Sequence, residues 1–297
     1  MGRGAGFLLL LMLAGAPVRA GGHPAVPAGA TVFENEWCFC IMPTIVPDNP
    51  PSAASVAYAV APLPGGGLAL VGAEPRERPG LGAGWLVRAQ DATGALRWSR
   101  SLGWAEEFHE AARAAAADPA GRLVVAGYAE HARGTPVPAR WLVVAYSPDG
   151  AMLWRDDLAA EQPLRAEAVA LTPAGGAVVA GWRSDGPAAG SRWLIRSYDR
   201  EGRLAWTRTA GGRTAGPSGA RAVAVGPDGR VIVAGNLIEA GGARSAWCLR
   251  AYDAGGTLLW SRTQLDPDSW LDAPYAVAVG PEGRIAAAGK TAGAPAA

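Results

Sequence analysis

Residues 250–263 read RAYDAGGTLLWSRT, and residues 196–209 read RSYDREGRLAWTRT. The same phrase stands at 144–157 as VAYSPDGAMLWRDD and at 88–101 as RAQDATGALRWSRS. Each is an apolar run, a turn rich in Asp and Gly, and a second run carrying a tryptophan. The Asp-x-x-Gly spacing supplies the positive-φ residue a tight hairpin needs. Alternation in AWCLRAY (246–252), the run that leads into the fourth phrase, puts Trp247, Leu249 and Ala251 on one side and Cys248, Arg250 and Tyr252 on the other, as in a strand.

Two anchors fix the repeat. One is a strand ending in Ala-Gly or a close variant, at Gly72, Gly127, Gly181, Gly235 and Gly289, spaced 55, 54, 54 and 54 residues apart. The other is a tryptophan pair thirteen residues apart: Trp85/Trp98, Trp141/Trp154, Trp193/Trp206 and Trp247/Trp260. Eight of the twelve tryptophans occupy these slots, so their expected role is structural. Each unit holds four short apolar segments. Four strands per unit of roughly 40–50 residues is the pattern of a propeller blade, which buries both sheet faces only against neighbouring blades. The alanine-rich stretch EEFHEAARAAAA at 106–117 imitates a helix. Its alignment with GARAVAV and DAPYAVAV assigns its end to a strand.

The expected fold is therefore all-β: a β-propeller of four-stranded blades with ~54-residue repeats. The repeats run over 52–103, 104–158, 159–211 and 212–264, with a partial fifth at 265–290. That fifth unit contains two strands. The segment NEWCFCIMPTIV (36–47) contains EWCF, similar to AWCL of the fourth unit, so five blades closed by the N- and C-terminal segments are expected. The whole propeller then spans 36–290, after a flexible leader at 21–35 and before a tail at 291–297.

The units resemble the repeat of a family of bacterial secreted propeller proteins, which reads roughly A-x-A-V…D-G…V-A-G…W…Y-D-x-x-G…W. The resemblance covers residues 52–290 and implies a propeller of exported or cell-surface type. YDAGGTLLW is also similar, more weakly, to the repeat of quinone-dependent dehydrogenase propellers. Here the gap from Asp253 to Gly256 is one residue shorter than in those enzymes. No Cys-x-x-Cys-His haem site follows, and no cofactor is expected.

Composition limits the function. With 27 basic and 26 acidic residues the chain lacks the positive excess a nucleic-acid binder uses to displace counterions from phosphate. MGRGAGFLLLLMLAGAPVRA reads as a signal peptide over residues 1–20, its apolar core too short to span a bilayer. Cleavage removes Arg3 and Arg19 and no acid, taking the formal charge from +1 to −1. The expected location is periplasmic, extracellular or cell-surface, with no transmembrane segment in the mature chain. Cys38, Cys40 and Cys248 read as small buried hydrophobes; one disulfide, or a Cys-x-Cys metal site, is the sharper alternative. No metal is expected.

No catalytic motif is complete. HEAAR at His109 has Arg113 where a zinc protease needs its second histidine, and no Gly-x-Ser-x-Gly occurs. The turns joining strands one to two and three to four are short and alike. The connections from strand two to three and from blade to blade are long and varied, and all emerge on one face. Varied loops on a rigid scaffold are where binding resides. Within them Trp104, His109, Glu110, Trp270 and Asp272 are the candidate ligand-binding residues. An indole beside a carboxylate suits a sugar or a cation. The expected function is that of an exported, non-enzymatic scaffold binding a protein or glycan through this face. The alternative is a polysaccharide hydrolase or lyase using Glu110 and Asp272 at the channel mouth.

Overall fold

The computed structural model describes residues 55–75, 83–103, 108–131, 139–186, 189–211, 218–238, 244–264 and 272–291. All belong to one compact unit that begins at Val46. The signal peptide, the leader, Trp37, Cys38, Cys40 and most of the tail lie outside them. Blade I comprises β1 (Val56–Pro62), β2 (Leu68–Pro75), β3 (Ala83–Gln90) and β4 (Leu96–Leu102). Blade II comprises β5 (Phe108–Ala117), β6 (Leu123–His131), β7 (Ala139–Tyr146) and β8 (Met152–Ala160). Blade III comprises β9 (Leu164–Leu171), β10 (Ala177–Ser184), β11 (Ser191–Tyr198) and β12 (Leu204–Ala210). Blade IV comprises β13 (Gly219–Val225), β14 (Val231–Ile238), β15 (Ser245–Tyr252) and β16 (Leu258–Gln264). Blade V has β17 (Ala273–Val279) and β18 (Ile285–Lys290).

Blades I–IV are antiparallel sheets in simple sequence order, and β17–β18 is a two-stranded sheet. The first strands pack in succession, β1 on β5, β5 on β9, β9 on β13 and β13 on β17, which places them innermost. This is the β-propeller architecture. The alanine-rich helix mimic is β5, because its neighbours offer ladder partners on β6 and burial that outweigh a weak local preference for helix. No helix among the described residues is long and apolar enough to cross a membrane.

The two sequence anchors are two halves of one contact. The first tryptophan of each pair lies on the third strand, and in blades I to III it packs on the anchor glycine of the next blade. A Cβ built on Gly127 would lie 2.8 Å from the Trp85 ring, on Gly181 3.0 Å from Trp141, and on Gly235 2.8 Å from Trp193. Trp85, Trp141 and Trp193 are fully buried. Trp193 Nε1 also donates to the Asn236 carbonyl at 2.8 Å, and Trp247 Nε1 to that of Lys290 at 3.0 Å, the equivalent residue one blade on.

The second tryptophan grips the next blade's outer hairpin. Trp98 Nε1 donates to the Pro148 carbonyl at 2.9 Å, Trp154 to Arg200 at 3.0 Å and Trp206 to Ala254 at 2.9 Å. Its ring covers the hairpin glycine: Gly150, at φ +82°, leaves no room for a Cβ, which would meet Trp98 at 2.6 Å. The same ring pairs with the tyrosine that ends the neighbouring third strand, with centroids 5.8 Å apart for Trp98–Tyr146 and Trp154–Tyr198 and 6.3 Å for Trp206–Tyr252. The Asp of the Tyr-Asp repeat organises that hairpin: Asp199 Oδ1 accepts from the Glu201 and Arg203 amides at 3.0 and 2.9 Å. Cys248 is a buried free thiol inside the blade III–IV core, the small-hydrophobe role.

These tyrosines predict a loss of stability in alkali. Burial pushes the Tyr146 phenol up to about 12 from its ordinary 10.0, and burial raises Tyr198 and Tyr252 as well. A folded-state value above the unfolded one means the stabilisation is complete below the unfolded value and is lost as pH rises through the folded one. Urea midpoints should be flat near pH 9 and fall steadily from about pH 10 to about pH 12. Tyr146→Phe should flatten that slope. A midpoint unchanged across this range would refute the assignment.

Candidate ligand site on the propeller axis

The anchor glycine has a second neighbour, the innermost strand of its own blade. A Cβ on Gly72, Gly127, Gly181, Gly235 or Gly289 would collide with a backbone carbonyl of that strand. At each site the innermost strand carries one extra residue, a β-bulge, and the missing side chain on the opposite strand lets the two backbones close. The bulged residues are Tyr58, Arg113, Glu167, Arg221 and Tyr275, spaced 55, 54, 54 and 54 residues apart. Fifteen residues after each, directly following the glycine, stand Ala73, Tyr128, Trp182, Asn236 and Lys290.

Around these positions the strands repeat Ala and Val. At these two positions the residues vary in charge, size and aromaticity, and no two blades carry the same pair. The side chains meet one another. The Arg113 guanidinium lies 4.4 Å from the centre of the Tyr58 ring, and its Nε donates to Glu167 Oε2 at 3.2 Å. Glu167 Oε1 accepts from Trp182 Nε1 at 3.1 Å. A continuous chain, Tyr58–Arg113–Glu167–Trp182, thus crosses blades I to III. Beside it Arg165 stacks 4.3 Å from the Tyr128 ring centre and forms a two-bond pair with Glu130, one bond at 3.1 Å. Burial opposes the Arg113 charge, but Glu167 and the Tyr128 and Tyr58 phenols outweigh it and hold its pKa above the ordinary value. Burial likewise raises Tyr128, against the pull of Arg165, and keeps it a neutral donor.

On the blade IV–V side the composition changes. Arg221 Nε donates to the neutral Asn236 Oδ1 at 3.3 Å. The Arg221 guanidinium is 5.8 Å, and Lys290 Nζ 6.0 Å, from the centre of the Tyr275 ring. Such a surface offers aromatic faces, amide and guanidinium donors and fixed charge, which is binding chemistry; none of these groups is a nucleophile with an adjacent base.

The residues anticipated from the loops fall differently. Trp104 and Trp270 lie outside the described residues. His109 is on β5, where its Nδ1 accepts from the Ala83 amide at 3.2 Å across the blade I–II junction. Glu110 lies within β5 and Asp272 directly before β17, each three residues before its bulge, and each is only 1% exposed. Asp272 is tied by its backbone, its amide donating to the Ser245 carbonyl at 3.2 Å and its carbonyl accepting from Ser245 Oγ at 2.8 Å. The axial residues escaped the sequence reading, although a signal existed. An isolated glycine inside a strand marks a bulge, and the polar x of each A-x-A or P-x-A is the residue it displaces.

No family model matches the chain, and no curated protein matches it. Among solved structures it is similar to regucalcin, a calcium-binding protein of Agrobacterium tumefaciens, at 14% identity and a TM-score of 0.41, covering 77% of this chain and 66% of that one. It is similar to puromycin hydrolase at 19% identity and a TM-score of 0.32, covering 70% of this chain and 39% of that one. A eukaryotic initiation factor matches at 11% identity and a TM-score of 0.31, over 70% of this chain and 55% of that one. The chain thus spans less than two thirds of these proteins' lengths. At such identities and scores the likeness carries nothing to this chain's chemistry.

Proposed function

We propose that this chain is an exported, non-enzymatic β-propeller that binds a protein or glycan partner at the rim of its long connections. The observation that supports this reading is the contrast within the repeat. The interlocking positions are constant from blade to blade. No two blades carry the same pair of residues at the bulge and after the glycine. A scaffold needs only the first set; a binding surface needs the second. The second set also lies at the start of each first strand and the end of each second strand, the rim from which the long connections leave. The partner would therefore meet varied connections and varied axial side chains together.

The test pairs binding with turnover. The exported chain is screened on a glycan array and against candidate surface proteins, and each polysaccharide is assayed for new reducing ends and for unsaturated uronate products. Saturable binding without turnover is expected, lost when axial residues are exchanged and kept when exposed residues of the short-turn rim, such as Glu201, are exchanged. Steady product formation would overturn the non-enzymatic reading.

A further inference from the structure

We infer that the blade IV–V side of the axis is a subsite for a carboxylate carried on a sugar ring, so that the ligand is an acidic, uronate-bearing glycan. This rests on the proposed binding role and names its ligand class.

The argument is a charge comparison between the two halves of one repeat architecture. On blades II and III each axial arginine has its own carboxylate: Arg113 has Glu167 at 3.2 Å and Arg165 has Glu130 at 3.1 Å. On blades IV and V the axial cations are Arg221, at the bulge position that Arg113 holds in blade II, and Lys290, at the position after the glycine, and among the described residues neither has a carboxylate within 4.0 Å. Arg221 spends its Nε–H on the amide oxygen of Asn236, which carries no charge. The guanidinium Nη groups are left to form a two-bond fork, the geometry that matches a carboxylate. Two like charges held on one wall repel each other unless an anion or water lies against them.

The second component is the ring between them. Tyr275 is 46% exposed, although it stands on an innermost strand, and both cations lie about its ring at 5.8 and 6.0 Å. An exposed aromatic face takes the apolar C–H face of a sugar by stacking. Flanking cations then meet a carboxylate projecting from the edge of that sugar. A bare inorganic anion would use the cations and leave the ring idle. A neutral sugar would use the ring and leave the cations idle. A uronate uses both.

The test is titration calorimetry of the exported chain with oligogalacturonate and with a neutral galactan oligomer of equal length, at low and raised salt. Binding of the uronate about tenfold tighter than the neutral sugar is expected, weakening as salt rises. Arg221→Gln and Lys290→Gln should each weaken it about tenfold, and Tyr275→Ala should weaken both oligomers, with melting curves unchanged. Arg203→Gln, on an exposed hairpin, is the control and should bind as the native chain does. Equal affinity for charged and neutral oligomers would overturn the carboxylate subsite and leave glycan binding standing. Competition by inorganic phosphate at equal strength, with no dependence on Tyr275, would reduce the site to a simple anion contact and overturn the sugar. Binding to neither oligomer, with a protein captured at the long-connection rim, would overturn this inference while the binding role survives.

Discussion

Trp193→Ala is expected to lower the free energy of unfolding by about 3–5 kcal/mol. For a chain this size that corresponds to melting roughly 6–20 °C earlier. The indole is fully buried between blades III and IV, against Gly235 of the next blade and with its Nε1 on the Asn236 carbonyl at 2.8 Å. Truncation removes the ring and leaves a void the surrounding strands cannot fill, because both are held in ladders with their own neighbours. It also strands the Asn236 carbonyl without that donor, an added cost for a buried acceptor. Trp193→Phe should recover most of the loss, since it restores ring volume and not the hydrogen bond. Thermal and urea melts read both. A Trp193→Ala protein melting within a degree or two of the native chain would show that these rings do not hold the blades together.

A chain lacking residues 31–47 is expected to melt at least roughly 10 °C lower. The reason lies at the two ends of the array. In blades I to III the second tryptophan holds the next blade's outer hairpin, but among the described residues blade V has only β17 and β18 and presents Trp260 with no such hairpin. At the other end, the blade I hairpin glycine Gly94 has nothing within 4 Å of its would-be Cβ, whereas Gly150 and Gly256 each lie under an indole. Leu68 on β2 is 42% exposed, while its counterparts Leu123 and Val231 are 0% and 1% exposed. The expectation from the sequence is that residues 36–47 supply blade V with a third and fourth strand bearing apolar side chains. That expectation rests on the similarity of EWCF to AWCL, which aligns Trp37 with Trp247 in sequence. A deletion that leaves the melting point untouched would sink this closure. A deletion that converts a monomer to a dimer of equal stability would assign the completion of blade V to a second copy of the chain.

How much of this was legible beforehand differs by element. Strand β5 was legible in spite of an alanine-rich composition, because its alignment with the other repeats carried more information than its own propensity. The anchors Gly127 and Trp85 were each visible as repeated residues. That they form one contact was not, since they lie 42 residues apart on neighbouring blades and nothing in the spacing says which blade a ring enters. Glu110 and Asp272 read as carboxylates at a channel mouth, and the structure buries both, Glu110 within β5 and Asp272 directly before β17. A loop carboxylate and a buried one look identical in sequence, because burial depends on what packs over the residue.

The amino-acid sequence by itself determined the class of fold, the blade length and the identity of the interlocking residues. Those follow from periodic, local chemistry: alternating apolar residues, turn residues at fixed offsets and a repeat that copies them. Only the tertiary structure decided that Tyr58, Arg113, Glu167, Arg221 and Tyr275 share one surface. Each is a single polar residue in a strand of alanine and valine, and it becomes part of a site only when a bulge turns it toward the axis and a neighbouring blade, 54 or 55 residues away, turns its own counterpart to meet it. Charge pairing across that distance depends on the angle between blades, a property of packing that no stretch of chain contains.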